Sequence, residues 1–297
     1  MITYPIPRVY SMLKKLLVLF SFVFVSACDA NNTTDQQWRA LDLNNTFLLT
    51  LPHGKVVIEL APQFSPKHVQ QLSALVKKGF YDGEKFYRVI DGFVAQAGPK
   101  DGSEKDKSVP ILAMEGEFIT DKNWSFTPVQ NKDLFAKQTG FKQGFALAKN
   151  NDDSAWLTHC PGVLAMARGN EADSASGHFY FVIGQAPRYL DRIMTIFGRV
   201  VYGMEHIQAI QRTSVIDGEY AVDSRDYTPI VNMRLMADVP KAEQIIIEVE
   251  NTESTAFADR LVKRRARENE FFYQKPPPVL DVCQVPIRSR LVKAEPK

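Results

Sequence analysis

Short strand-length runs separated by turns constrain this chain most. They fall at Phe47–Leu51, Val56–Leu60, Phe86–Ile90, Val163–Met166, Phe179–Ile183, Ile196–Val200 and Ile230–Met236, with a further strand starting at Phe93. Each has the length and the apolar or aromatic content of a strand packed on at least one face. Over the same stretch only two segments are helical in pattern. One begins at Ser65 and Pro66, carries Val69, Leu72, Leu75 and Val76 on one stripe, and stops at Gly79; the other covers Gly203–Arg212. Many short strands with two helices predict a mainly β, closed antiparallel sheet. Residues 98–161 hold two tryptophans and many turn residues and are expected to be irregular. A C-terminal extension adds a strand at Ile245–Val249, a basic helix from Thr255 to about Glu270, and Pro276-Pro277-Pro278. The expected division is 1–27, a leader; 28–43, a flexible tether; 44–213, the β domain with its insertion at about 98–161; and 214–297, the extension.

The leader reads as an address. Lys14-Lys15 precede an apolar run of 12 residues, Leu16 to Ala27, which ends at Cys28. That is shorter than the roughly 20 residues a spanning helix needs, and it fits a signal-peptide core. Val25-Ser26-Ala27-Cys28 resembles a bacterial lipobox, in which Cys28 is acylated, so the expected location is the cell envelope, lipid-anchored and facing the periplasm. Asp29 resembles the inner-membrane retention signal of enteric lipoproteins. The chain has 36 basic and 34 acidic residues, and Arg8, Lys14 and Lys15 lie in the leader, so the remainder is nearly neutral and nothing calls for nucleic acid. Cys160 and Cys283 are left, either a disulfide in an oxidising compartment or two buried thiols.

One hairpin carries the chemistry. In Phe86-Tyr87-Arg88-Val89-Ile90-Asp91-Gly92-Phe93-Val94-Ala95-Gln96, an apolar strand bears one arginine, turns at Asp91-Gly92 and returns with Phe93 and Gln96. Because strand side chains alternate, cation, ring and amide are expected on one surface. This stretch closely resembles the signature of cyclophilins, the peptidyl-prolyl cis-trans isomerases. Three more blocks match in order: Ser65-Pro66-Lys67 with Gly79-Phe80-Tyr81-Asp82-Gly83; Pro161 to Arg168 with Ser176 to Phe181; and Tyr189-Leu190-Asp191 with Ile196 to Val200, Gly203 and Met204. The resemblance implies an eight-stranded antiparallel barrel capped by two helices.

It also implies roles. Arg88 is the catalytic arginine, Phe93 an aromatic of the proline pocket and Gln96 a groove amide; these three form the expected catalytic set. Around them Val94 replaces a methionine, Ala167 matches, Arg168 replaces an asparagine and His178 a glutamine. Tyr180 stands for a pocket phenylalanine, Leu190 is retained, Tyr189 stands where many members have tryptophan, and Met194 where compact members have histidine. The long segment up to Pro161, with Trp156 to Cys160 and Asp281 to Pro286, resembles an extended proteobacterial branch, which implies that Cys160 and Cys283 tie the extension to the barrel. The expected partners are proline-containing client polypeptides and, through the acylated N-terminus, a membrane. No cofactor or metal is expected: G-x-S-x-G, H-E-x-x-H, the P-loop, G-x-G-x-x-G and C-x-x-C motifs are all absent, and five scattered histidines show no ligand spacing. The rewritten rim keeps a second reading open, a cyclophilin-shaped binding module with little turnover.

Overall fold

The computed structural model describes residues 36–151, 153–212 and 227–292; the leader and Cys28 lie outside them. In chain order the strands and helices are β1 (Trp38–Ala40), β2 (Thr46–Leu51), β3 (Gly54–Leu60), α1 (Pro66–Lys77), β4 (Lys85–Ile90), β5 (Val94–Gly98) and α2 (Glu104–Lys107). The insertion supplies β6 (Phe118–Ile119), β7 (Thr127–Asn131), β8 (Gln138–Lys142), β9 (Phe145–Lys149) and β10 (Ser154–Leu157). Then follow β11 (Val163–Met166), β12 (Phe179–Val182), β13 (Ile196–Tyr202), α3 (Met204–Gln208), β14 (Asn232–Leu235), β15 (Ile247–Glu250), α4 (Thr255–Ala266) and β16 (Ser289–Leu291).

Eight strands form one curled antiparallel sheet in the order β14-β2-β3-β13-β11-β12-β5-β4. Its two edges approach each other. The Phe86 N–H donates to the Thr228 carbonyl at 3.0 Å, and the Ile230 N–H donates to the Glu84 carbonyl at 2.7 Å. Period-two alternation then sorts the central strands. Phe179 and Phe181 of β12, Ala95 and Ala97 of β5, and Leu164 and Met166 of β11 face the interior, where Val69, Leu72 and Val76 of α1 and Ile207 of α3 cap them. Their neighbours Tyr180, Val182, Val94, Val163 and Ala165 face outward into a second core.

That second core corrects the irregular reading of residues 98–161. The insertion folds as a five-stranded antiparallel sheet, β6-β10-β9-β8-β7, whose Val129, Phe141, Phe145, Leu147 and Leu157 cover the outer face of the barrel. Its strands span only two to five residues, too short for alternation to stand out against the turns between them. The extension closes the same core with Phe257 and Leu261 of α4 and with Leu280, Val282 and Val285. It is joined covalently as well: Cys160 and Cys283 form a disulfide across 123 residues.

Two expected boundaries move. Trp38–Ala40, placed in the tether by polar surroundings, pairs with β15, and β16 adds the third strand of a small sheet. Glu250 anchors it, 1% exposed, accepting from Arg260 Nε at 2.9 Å and Arg288 Nε at 3.1 Å. The barrel also does not end at 213, because β14 pairs with β2. The helix expected over Gly203–Arg212 is confined to Met204–Gln208, and the one expected to reach Glu270 stops where Arg267 turns left-handed at φ +48°. Among the described residues no helix is long and apolar enough to cross a membrane.

Candidate active site

A bulge sets the position of Arg88. Strict alternation would put Arg88 on the interior face with Phe86. Instead the β4–β5 register shifts between them: Phe86 pairs with Ala97, Arg88 with Gln96 and Val89 with Ala95. Tyr87 is the extra residue, so Arg88 turns onto the outer face while Phe86 and Val89 stay buried at 1% and 0% exposed. The hairpin closes as the Phe93 N–H donates to the Ile90 carbonyl at 3.1 Å, with Gly92 at φ +68°, a conformation costly for any side chain.

From Arg88 a line of hydrogen bonds crosses the groove. Arg88 Nη1 donates to Gln96 Oε1 at 3.0 Å, and Gln96 Nε2 donates to Tyr87 Oη at 2.7 Å. Tyr87 Oη lies 2.7 Å from His178 Nδ1, and His178 Nε2 lies 3.0 Å from Asp106 Oδ1. Since Arg88 can only donate, it fixes the Gln96 amide, which makes the phenol an acceptor from Gln96 and frees its own proton for Nδ1. The imidazole N–H is then on Nε2, facing the carboxylate. Burial raises the Tyr87 phenol to about 12, so it stays protonated in any ordinary medium. Gly98, at φ +154°, makes room for this line, because a Cβ there would come within 2.5 Å of His178 Nδ1.

The apolar floor lies beside it. Val94 and Tyr180 are buried on neighbouring strands, Tyr180 in register with Gln96. Phe93, Ala167 and Met194 pack on the same core partly exposed, Leu190 is half-buried, and Tyr189 stands 66% exposed at the rim. A cavity of about 420 Å³ opens next to the hydrogen-bonded line, bordered by Tyr87, Gln96, Asp106, Ala167, Arg168 and His178. The structure therefore brings the expected set together on one outer surface, although Phe93 comes from the turn and not from β5. Arg168 lines the cavity, yet its guanidinium braces the surrounding loops, donating to the Ile193 carbonyl at 2.9 Å and the Gly169 carbonyl at 2.8 Å.

Sequence reasoning passed over three residues. Tyr87 was an unremarked strand residue, and only the bulge makes it the link between Gln96 and His178. Asp101 and Asp106 place oxygens within 4.8 Å of a ring nitrogen of His178, the one group among the described residues with a metal-compatible donor set. More than 70 positions separate Asp106 from His178, so no spacing rule could have flagged them.

This geometry can grip a proline ring on an apolar floor while a fixed cation and an amide face the adjoining peptide bond. The family described as Cyclophilin type peptidyl-prolyl cis-trans isomerase/CLD matches residues 46–236. A probable peptidyl-prolyl cis-trans isomerase of Brucella suis biovar 1 (strain 1330) is 30% identical over 175 residues, covering 59% of this chain and 76% of the Brucella protein. Peptidyl-prolyl cis-trans isomerase ppi1 of Schizosaccharomyces pombe is 31% identical over 151 residues, 51% of this chain and 75% of the yeast protein. The crystal structure of cyclophilin AquaCyp293 from Hirschia baltica superposes with a TM-score of 0.70 at 27% identity, covering 87% of this chain and 95% of that one. With the barrel, the family match over most of its length and relatives of that name in agreement, this chain belongs to the cyclophilin-type peptidyl-prolyl cis-trans isomerases.

Proposed function

We propose that this isomerase works on exported polypeptides from a lipid anchor at Cys28 on the periplasmic side of a bacterial envelope, with Arg88 as its catalytic residue. An X-Pro bond turns in tens to hundreds of seconds because resonance imposes a barrier of about 18–20 kcal/mol. As the bond twists, the prolyl nitrogen becomes pyramidal and regains its lone pair. A guanidinium N–H beside it can hydrogen-bond to that lone pair and favours the twisted state over the planar one. This is differential binding, without nucleophile or proton transfer. Phe93, Val94, Tyr180, Leu190 and Met194 form the apolar floor for the ring, and Gln96, held by Arg88 and Tyr87, presents its amide to the substrate backbone. Tyr189 and Ala167 border the groove. His178 and Arg168 sit at its polar end.

One observation carries this reading: the bulge at Tyr87, which turns a strand cation out of the barrel interior and sets it against Gln96 over an apolar surface. A purely binding groove has no need of that cation. The client class and the anchor rest on the sequence, on Lys14-Lys15, the apolar run and Val25-Ser26-Ala27-Cys28, with Asp29 favouring retention at the inner membrane. The test is prolyl isomerisation of a peptide by the protein beginning at Asp29, beside its Arg88→Ala variant. We expect the substitution to lower kcat/KM by about 10²–10³, the loss typical of removing a preorganised donor. Equal acceleration by both would remove Arg88 from the mechanism. Binding without acceleration by either would make the groove a docking surface.

A further inference from the structure

The floor of the proline pocket has a hydroxyl, and something must hold it. Tyr180 is 4% exposed, and a buried phenol O–H left without a partner is costly. Its partner is His159, fully buried and supplied by the end of the insertion just after β10. His159 Nε2 lies 2.9 Å from Tyr180 Oη, and the two rings stack 15° from parallel. On the other side His159 Nδ1 lies 3.0 Å from Asp191 Oδ1, which also accepts the His159 backbone N–H at 2.8 Å. Arg188 Nε donates to Asp191 Oδ2 at 2.6 Å, and Arg188 Nη2 donates to Asp133 Oδ2 at 3.2 Å in the insertion.

A single placement of protons satisfies this line. The Asp191 carboxylate, paired with Arg188, can only accept, so the imidazole proton sits on Nδ1. Nε2 is then an acceptor, and the Tyr180 hydroxyl donates to it. The phenol is thereby tethered at its tip, while its ring, in register with Gln96, floors the pocket. A phenylalanine in that place would be held by packing alone. The backbone of His159 is itself fixed, because the next residue, Cys160, is in the disulfide with Cys283.

We propose that His159 is a positioning residue for the isomerase reaction: through Tyr180 it sets the depth and tilt of the proline pocket floor, and this is what the insertion contributes to the site. The inference rests on the reading of Tyr180 as pocket floor. A merely structural role would make His159 matter only to stability, and the two are separable. Tyr180→Phe and His159→Leu each leave one buried polar group without its partner and lower the unfolding midpoint. The double variant removes both groups and recovers stability relative to either single change. If His159 positions the floor, the double variant of the full chain keeps a KM for a proline peptide about tenfold above the parent, with kcat within about twofold. A KM that returns to the parent value together with the midpoint overturns the proposal. The parent protein gives a second reading without mutation. Nitrogen-15 NMR of labelled histidines should show His159 protonated on Nδ1, and a proton on Nε2 would equally overturn it. Arg88→Ala and a direct peptide titration run alongside. Failure of the parent to bind the peptide would remove the pocket reading itself, whereas normal binding with an unchanged KM in the double variant would remove only His159.

Discussion

Two hydrogen-bonded lines flank the same pocket, and they are built on opposite principles. The line in front, Arg88–Gln96–Tyr87–His178–Asp106, is part-buried across the groove and borders a cavity. The line behind, Tyr180–His159–Asp191–Arg188–Asp133, is buried under the insertion. They meet at one register pair of the barrel, Tyr180 with Gln96. In front, solvent screens the charges and the members stay free to answer a substrate, so the cost of losing one is paid mainly in rate. Behind, low dielectric makes each bond stronger and each orphan dearer, so loss should appear first as instability.

The sharpest way to break this contrast is a matched pair of isosteric substitutions. Asp191→Asn leaves Arg188 and His159 facing a neutral amide in a dry site and should lower unfolding free energy by about 3 kcal/mol. Asp106→Asn, with its side chain partly open to water, should cost less than about 1 kcal/mol. Denaturant titration of both decides it, and equal losses would erase the distinction. The next effect comes from the disulfide. Reducing Cys160–Cys283, or replacing both residues by serine, should cost about 2–4 kcal/mol, since it releases a loop of 123 residues. Because Cys160 adjoins His159, KM should rise with reduction while kcat persists. A reduced protein with an unchanged midpoint would show that the second core alone holds the extension.

A smaller effect is expected in front. Tyr87→Phe removes the bridge between Gln96 and His178 and should lower kcat/KM about fivefold, the net worth of one hydrogen bond, with the unfolding midpoint little changed. Since burial raises the phenol to about 12, the parent should show no loss of rate between about pH 8 and about pH 10 from this group. A decline there that disappears in Tyr87→Phe would mean the phenol titrates in the groove.

How much of this was readable beforehand follows from the range of the interactions. Arg88, Gln96 and Val94 lie within nine positions of one another, and a hairpin brings such residues together by local rules. Yet simple alternation would bury Arg88 beside Phe86; it reaches the outer face only through a bulge that alternation cannot show. Phe93 reaches the surface from the turn, which spacing along a strand misplaces. The pairings across the fold carry no local signal: His159 to Asp191 spans 32 positions and His178 to Asp106 spans 72. The insertion sheet was missed for a similar reason. Its apolar residues bury against the barrel's outer face, so each short strand makes sense only beside a surface the local sequence does not contain.

A third histidine sharpens the comparison, because it is buried like His159 but only half satisfied. His68, on α1, is fully buried; its Nδ1 lies 2.7 Å from Glu115 Oε2, while Nε2 has no hydrogen-bond partner. Burial lowers its pKa below the ordinary 6.5, outweighing the upward pull of Glu115. The unfolded chain therefore binds more protons than the folded one just below that value, and stability rises with pH across the window. His68's contribution is complete above about pH 6.5 and is lost as pH falls through it toward the lower folded value. Unfolding midpoints followed from about pH 8 to about pH 5 should fall, and should fall less in His68→Gln, which cannot take up that proton. His159 and His178, by contrast, have both ring nitrogens bonded. If His68→Gln keeps the full slope, the half-satisfied histidine is not the source of the acid loss.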